Sequence, residues 1–200
     1  MKKITLFSAL VLGIAALVGM SFTMVSTSVS IDTANSSIQW KGYKVTGEHW
    51  GVVNIKNGNL AFDANGMLSG GSFDIDMNTI TVLDLSGDVK GKLEGHLKSA
   101  DFFGVDKYPT AKFVMTKVIS RGKPGEYKIT GNLTIKEKTK EIKFDANLKE
   151  EGGKVTATAD VRIDRSDFDV RYGSGSFFDN LGDKTIYDEF DLSIKLLAKK

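Results

Sequence analysis

The 200-residue chain contains no cysteine. That removes disulfides, thiol catalysis and every cysteine metal site together, so stability has to come from packing. With no cysteine after the apolar run Ile4–Met20, a diacylglyceryl lipoprotein anchor is also excluded. Charge of one sign is missing as well. The net +2 comes from Lys2 and Lys3, and without them basic and acidic side chains stand at 25 each. Nucleic-acid binding needs a basic surface, and none is supplied. Histidines number two, His49 and His96. There is no HExxH spacing, no GxSxG elbow and no glycine-rich phosphate loop.

What is present begins with an export signature. Met1-Lys2-Lys3 is a basic start, Ile4–Met20 is apolar, and Ser21–Ser30 is small and polar. This reads as a secretory signal peptide over residues 1–30, cut after Ser28 or Ser30, with one domain over 31–200. The alternative is an uncleaved anchor, although seventeen residues is at the short end of a span. The mature chain is then expected to be periplasmic or secreted, and not membrane-spanning. Its remaining length suits one substantial core and is too short for two.

From Ser37 the residues alternate. Ile38 and Trp40 share one parity; Phe73, Ile75 and Met77 alternate with Ser72, Asp74, Asp76 and Asn78. Tyr127, Ile129, Gly131, Leu133 and Ile135 form a long strand pattern, as do Val155, Ala157, Ala159, Val161 and Ile163. One apolar and one polar face per strand is the mark of an antiparallel sheet. Turns are expected at Lys56–Asn59, Asp63–Gly66, Arg121–Gly125, Glu137–Lys140 and Glu150–Gly153. The exception is Leu93–Phe113. Val89, Leu93, Leu97 and Ala100 fall on one helical face, with Asp88 as its cap. Pro109, one of only two prolines, ends that segment. A helical turn is also expected over Ser176–Leu181.

About eight hairpin-linked strands with one helical insertion predict an all-β fold, an eight-stranded antiparallel barrel. A polar outward parity argues against a transmembrane barrel. Such a barrel is filled by side chains or holds one small ligand. Twelve phenylalanines can fill a core, whereas Gly131, Ala146, Ala157 and Ala159 leave room along one side. The inward set carries almost no charge, so a ligand would be apolar. Two histidines plus an acid would satisfy a catalytic zinc site, but no spacing supports it. The Asp164–Tyr172 run reads either as a salt-bridged rim or as an arginine placed to meet a polar ligand head.

Four motifs in order carry a family resemblance. They are Trp40-x-Gly42-x-Lys44-x-x-Gly47-x-His49-x-Gly51; Leu97–Phe113 (LKSADFFGVDKYPTAKF); Gly131-Asn-Leu133-Thr-Ile135 with its turn to Ile142; and Ile163-Asp-Arg165-Ser-Asp167-Phe168. Over Ser37–Leu197 the chain resembles the YceI-like, polyisoprenoid-binding family. Lys136-Glu137-Lys138 departs from it, in a turn where the family often has glycine, and so does the aromatic-rich 172–184 loop. The resemblance implies an extended lipocalin-like barrel with a hydrophobic tunnel, non-enzymatic, exported, and holding a polyisoprenoid or quinone-type lipid. No other cofactor and no metal is expected. The expected partner is an apolar lipid, with a homodimer left open. The expected tunnel lining is Trp40, Phe73, Ile75, Met77, Phe113, Met115, Tyr127, Ile129, Phe144 and Phe190. His96, Phe102, Phe103 and Tyr108 are expected at the mouth, with Phe102-Phe103 as its gate. Competing expectations are an envelope structural or stress-response protein with a filled core, and a histidine-dependent enzyme.

Overall fold

The alternating stretches become nine strands in the computed structural model, which describes residues 27–199. They are β1 (Thr27–Ser30), β2 (Ser37–Lys44), β3 (Gly47–Phe62), β4 (Leu68–Val82), β5 (Thr110–Ser120), β6 (Glu126–Ile135), β7 (Lys138–Glu151), β8 (Lys154–Asp164) and β9 (Ile186–Lys199). One helix, α1 (Gly87–Lys98), lies between β4 and β5. Strands β2 to β9 each pair antiparallel with the next, and β9 closes on β2. The result is an eight-stranded up-and-down barrel with no free edge around its girth.

The short β1 lengthens one of these eight positions. It pairs with the far half of β3, Val29 opposite Leu60, while β2 pairs with the near half. Ile31 then bridges Ala198 of β9. Thr27–Ser30 therefore belong to the barrel wall, inside the stretch expected as leader. The rest of that leader, residues 1–26, lies outside the described residues.

The two long connections share one end of the barrel: Val82 leads into α1 there, and Asp164 into the segment that returns at Ile186, beside the two-residue turns after Lys44 and Ile135. This is the upper end. Helix α1 lies across it because Leu93 and Leu97 face the barrel, with Leu97 buried, and Glu94 Oε1 accepts from Val82 N at 2.9 Å. Val89, expected on the same face, is 59% exposed, and Ser86 rather than Asp88 occupies the N-cap position. The chain then folds tightly, Phe103 N donating to Leu97 O and Val105 N to Lys98 O, before β5 begins.

Several local expectations change. Lys56–Asn59 is not a turn: β3 runs straight through it, with a register shift between Ile55 and Asn57. A Cβ on Gly58 would stand 2.6 Å from the Phe73 ring, so this glycine serves close packing. The β6–β7 turn sits at Lys136-Glu137, both left-handed without glycine. Lys136 Nζ donates to Asp169 O at 3.0 Å, tying the turn to the next loop. Short 3-10 turns form at Arg165–Phe168 and Gly182–Lys184, not at Ser176–Leu181.

Two seams of the barrel are paired over only part of their length, β4–β5 from Asp76↔Thr110 to Ser72↔Val114 and, more openly at the upper end, β7–β8. β7 and β8 pair from Glu151↔Lys154 up to Ala146↔Ala159 and no further. Above that, Lys138–Asp145 pair only with β6, and Asp160–Asp164 only with β9. Buried Phe168 of the first 3-10 turn lies over this gap, and a Lys140–Asp167 ion pair at 3.0 Å crosses to it.

Candidate functional site: an apolar cavity with one exposed corner

The lower end of the barrel is solid. Phe62, Val155, Ala198 and Val29 are each 5% exposed or less, and none borders free space. Above them the inward faces no longer meet, and an apolar cavity of about 200 Å³ runs toward the upper end. One water needs roughly 10–15 Å³ measured in the same way, so the barrel is hollow, not filled.

The small side chains Ala146, Ala157 and Ala159 border that space, as their sequence pattern suggested. Gly131 contributes differently. A Cβ there would lie 2.3 Å from the Phe113 ring, so Phe113 already occupies the room its missing side chain leaves. Phe113 lies parallel to Phe73 and 5.6 Å from Phe144, building an aromatic wall that runs from β4 to β7, where Ala146 of β7 and Ala157 and Ala159 of β8 continue it with small side chains.

Every residue proposed as lining borders the cavity: Trp40, Phe73, Ile75, Met77, Phe113, Met115, Tyr127, Ile129, Phe144 and Phe190. Of the four mouth residues, Phe102 and Phe103 border it too, their rings edge-to-face at 5.0 Å. Phe102 is 6% exposed and serves more as a buried roof than as an exposed flap. His96 and Tyr108 lie off the wall. Helical spacing puts Leu97 beneath α1 and turns His96 sideways, against Phe102 at 5.5 Å and Tyr172 at 4.4 Å. Burial holds the His96 imidazole below its ordinary pKa, only partly offset by Asp101. Tyr108 caps the tight bend at Gly104.

Arg165 was read either as part of a salt-bridged rim or as a charge placed to meet a polar ligand head, and the structure gives it a third task. It borders the cavity, is 3% exposed, and stacks over Phe102 at 5.4 Å. Its Nη1 donates to Val170 O, Nη2 to Ile186 O and Nε to Tyr187 O, and Asp188 pairs with it at 3.1 Å. Burial lowers its pKa against the opposing pull of Asp188 and Asp164. With its donors committed to the loop, this arginine is a staple that holds the 170–187 segment over the cavity. Tyr187, at the end of that segment, adjoins the cavity and is 51% exposed.

The two histidines do not converge on the cavity. His49 Nδ1 lies 2.7 Å from Asp84 Oδ2 on the outside of the barrel, and Asp84 Oδ1 accepts from Trp50 N. Burial would raise the Asp84 pKa, but these two hydrogen bonds outweigh it and hold the carboxyl below its usual value. The pair fixes the β4–α1 connection to β3. No group of three His, Asp or Glu side chains among the described residues is placed to hold a metal ion.

A closed antiparallel barrel around an apolar, nearly uncharged cavity belongs to the lipocalin-like class of small-ligand binders. The YceI-like domain model matches residues 30–198, and the chain is a member of that family, a family of binding proteins. A UPF0312 protein of Shewanella denitrificans is 35% identical over 150 residues, covering 70% of this chain and 73% of that protein. Another, from Pectobacterium atrosepticum, is 38% identical over 99 residues, so the match spans about half of each protein, 50% of this chain and 48% of the other. Among solved structures, Burkholderia cenocepacia BcnA superposes with a TM-score of 0.66 at 24% identity, covering 84% of this chain and 99% of that one. A polyisoprenoid binding domain from Saccharophagus degradans superposes at 0.62 with 13% identity, covering 86% and 97%. At these identities the superpositions speak for the fold.

Proposed function

We propose that this protein is an exported carrier that holds one long-chain apolar lipid, an isoprenoid or a quinone with an isoprenoid tail, inside the barrel. The observation that carries the reading is the cavity: apolar, elongated along the strands and roofed by Phe102. A chain of methyl-branched units buries its area against such walls without needing a polar partner along its length. The likeness in fold to a polyisoprenoid binding domain from Saccharophagus degradans supports the same ligand class. The basic-then-apolar start of the sequence supports export. A filled-core structural role fits poorly with a hollow interior.

The test is native mass spectrometry of protein purified without detergent from its host, beside uptake of geranylgeraniol and a short-tailed ubiquinone by stripped protein. Ala159→Phe places a ring in the cavity. A reproducible lipid adduct that Ala159→Phe loses, with the variant still folded, is the expected result. Absence of both adduct and uptake in the wild-type protein overturns the reading.

A further inference from the structure

Eleven large apolar side chains stand exposed among the described residues, and eight of them are at the upper end of the barrel. Trp50, Leu83 and Val89 rise on the side of α1. Tyr172, Phe177 and Phe178 rise on the side of the 170–187 loop. Val45, whose N–H is held by Thr185 O, and Tyr187 stand between them. Among the described residues the lower end exposes Met67, in the β3–β4 connection, and Ile119, near the end of β5, and the barrel wall between the ends exposes Val114. The end that exposes most of the apolar groups is the end covered by α1 and the 170–187 segment, with Tyr187 adjoining the cavity.

We propose that this end docks on the surface of a lipid bilayer, with the loop tip Phe177-Phe178 inserted and the cavity corner at Tyr187 brought to the acyl boundary. Three observations select a bilayer over a protein partner. The exposed groups sit on three separate connections, β2–β3, β4–β5 with its helix α1, and β8–β9, and on the adjoining ends of β3 and β9, so they offer separate points of insertion to a deformable plane. Trp50, Tyr172 and Tyr187 carry rings with one polar edge, the type that settles at membrane–water interfaces. Their charged neighbours alternate in sign, with Arg171 over the Phe177 ring at 4.8 Å and Asp179 and Asp183 beyond it. Such a rim has no strong field for an anionic surface and suits a zwitterionic one. The purpose of docking, cargo exchange, rests on the carrier reading; the docking itself does not.

The cysteine-free chain makes the test direct. Phe178→Cys and Met67→Cys, each exposed, give the full-length protein a single site for an environment-sensitive fluorophore at opposite ends. Lipid-stripped protein is mixed with phosphatidylcholine vesicles containing a doxyl-labelled quencher lipid. The label at 178 is expected to shift to the blue and be quenched while the label at 67 is unchanged. Replacing Phe177 with serine in the 178-labelled protein is expected to weaken vesicle partition about tenfold, the loss of roughly one buried phenyl ring. A silent label at 178 overturns the proposal, as do equal responses at 178 and 67, which is what contact through another part of the chain gives. Because the protein is stripped, docking with no cargo uptake overturns the carrier reading alone, and uptake without docking overturns this one alone.

Discussion

The two ends of the barrel are built to opposite rules. At the lower end β1 completes the wall, and Val29, Phe62, Val155 and Ala198 are buried and do not border the cavity. At the upper end a helix and a long loop lie across the barrel, and buried polar contacts hold them. The difference separates two jobs usually spread through one core. The lower plug supplies cohesion and leaves the cavity to be shaped by what lies above. The upper roof supplies access, and its restraints are few and named: Leu97, Phe102 and Arg165.

Breaking the lower end has the largest expected effect. Phe62→Ala removes a ring that is 1% exposed and is expected to cost about 3–5 kcal/mol in urea denaturation. Its lipid occupancy by native mass spectrometry, measured under folding conditions, should stay close to that of the parent. If occupancy falls as far as stability, the two ends are not independent.

Arg165→Ala attacks the roof. It leaves the carbonyls of Val170, Ile186 and Tyr187 without their donor and Asp188 without its buried partner. A loss of about 3 kcal/mol is expected. Exchange of a fluorescent lipid should accelerate more than in Phe62→Ala, because the released segment is the one over the cavity. Equal exchange in the two variants would remove the staple role.

The smallest effect comes from His96. Its folded pKa lies below the unfolded value because burial penalises the charged ring. The unfolded chain therefore takes up this proton first. The contribution of His96 to stability is complete above about pH 6.5 and declines as pH falls below it. His96→Phe keeps the ring contacts with Phe102 and Tyr172 and removes the proton. The stability difference between pH 7.5 and pH 5 should be smaller in that variant, read by thermal melts at both pH values. An unchanged difference would assign the acid sensitivity to other groups.

Strand parity carried most of the fold and most of the cavity wall. A period of two is a direct image of inside and outside, so Tyr127, Ile129 and Phe144 could be placed by counting. Counting failed where a residue's role depends on a neighbour far along the chain. Gly58 reads as a turn residue and is in fact the seat of the Phe73 ring; Gly131 reads as empty space and is the seat of Phe113. Thr27–Ser30 read as leader because small polar residues dominate, and only the opposite strand, Asn59–Phe62, makes them a wall. Arg165 reads as one charge in a mixed run, since nothing local reveals that three loop carbonyls converge on it. The clustering of exposed rings at one end was invisible for the same reason: Val45, Trp50, Val89 and Phe178 are scattered along the sequence and are gathered only by topology.

The half-sewn seam between β7 and β8 makes the barrel a split ring and not a hoop. A hoop of continuous hydrogen bonds has a fixed bore, because widening it anywhere breaks a ladder rung. Here the upper bore can widen without breaking any β7–β8 rung; the restraints across the slit are side-chain contacts, chiefly Lys140–Asp167, Lys136 on the Asp169 carbonyl and the wedge of Phe168. The upper girth of the barrel is thereby set by a few side-chain contacts and not by a continuous ladder.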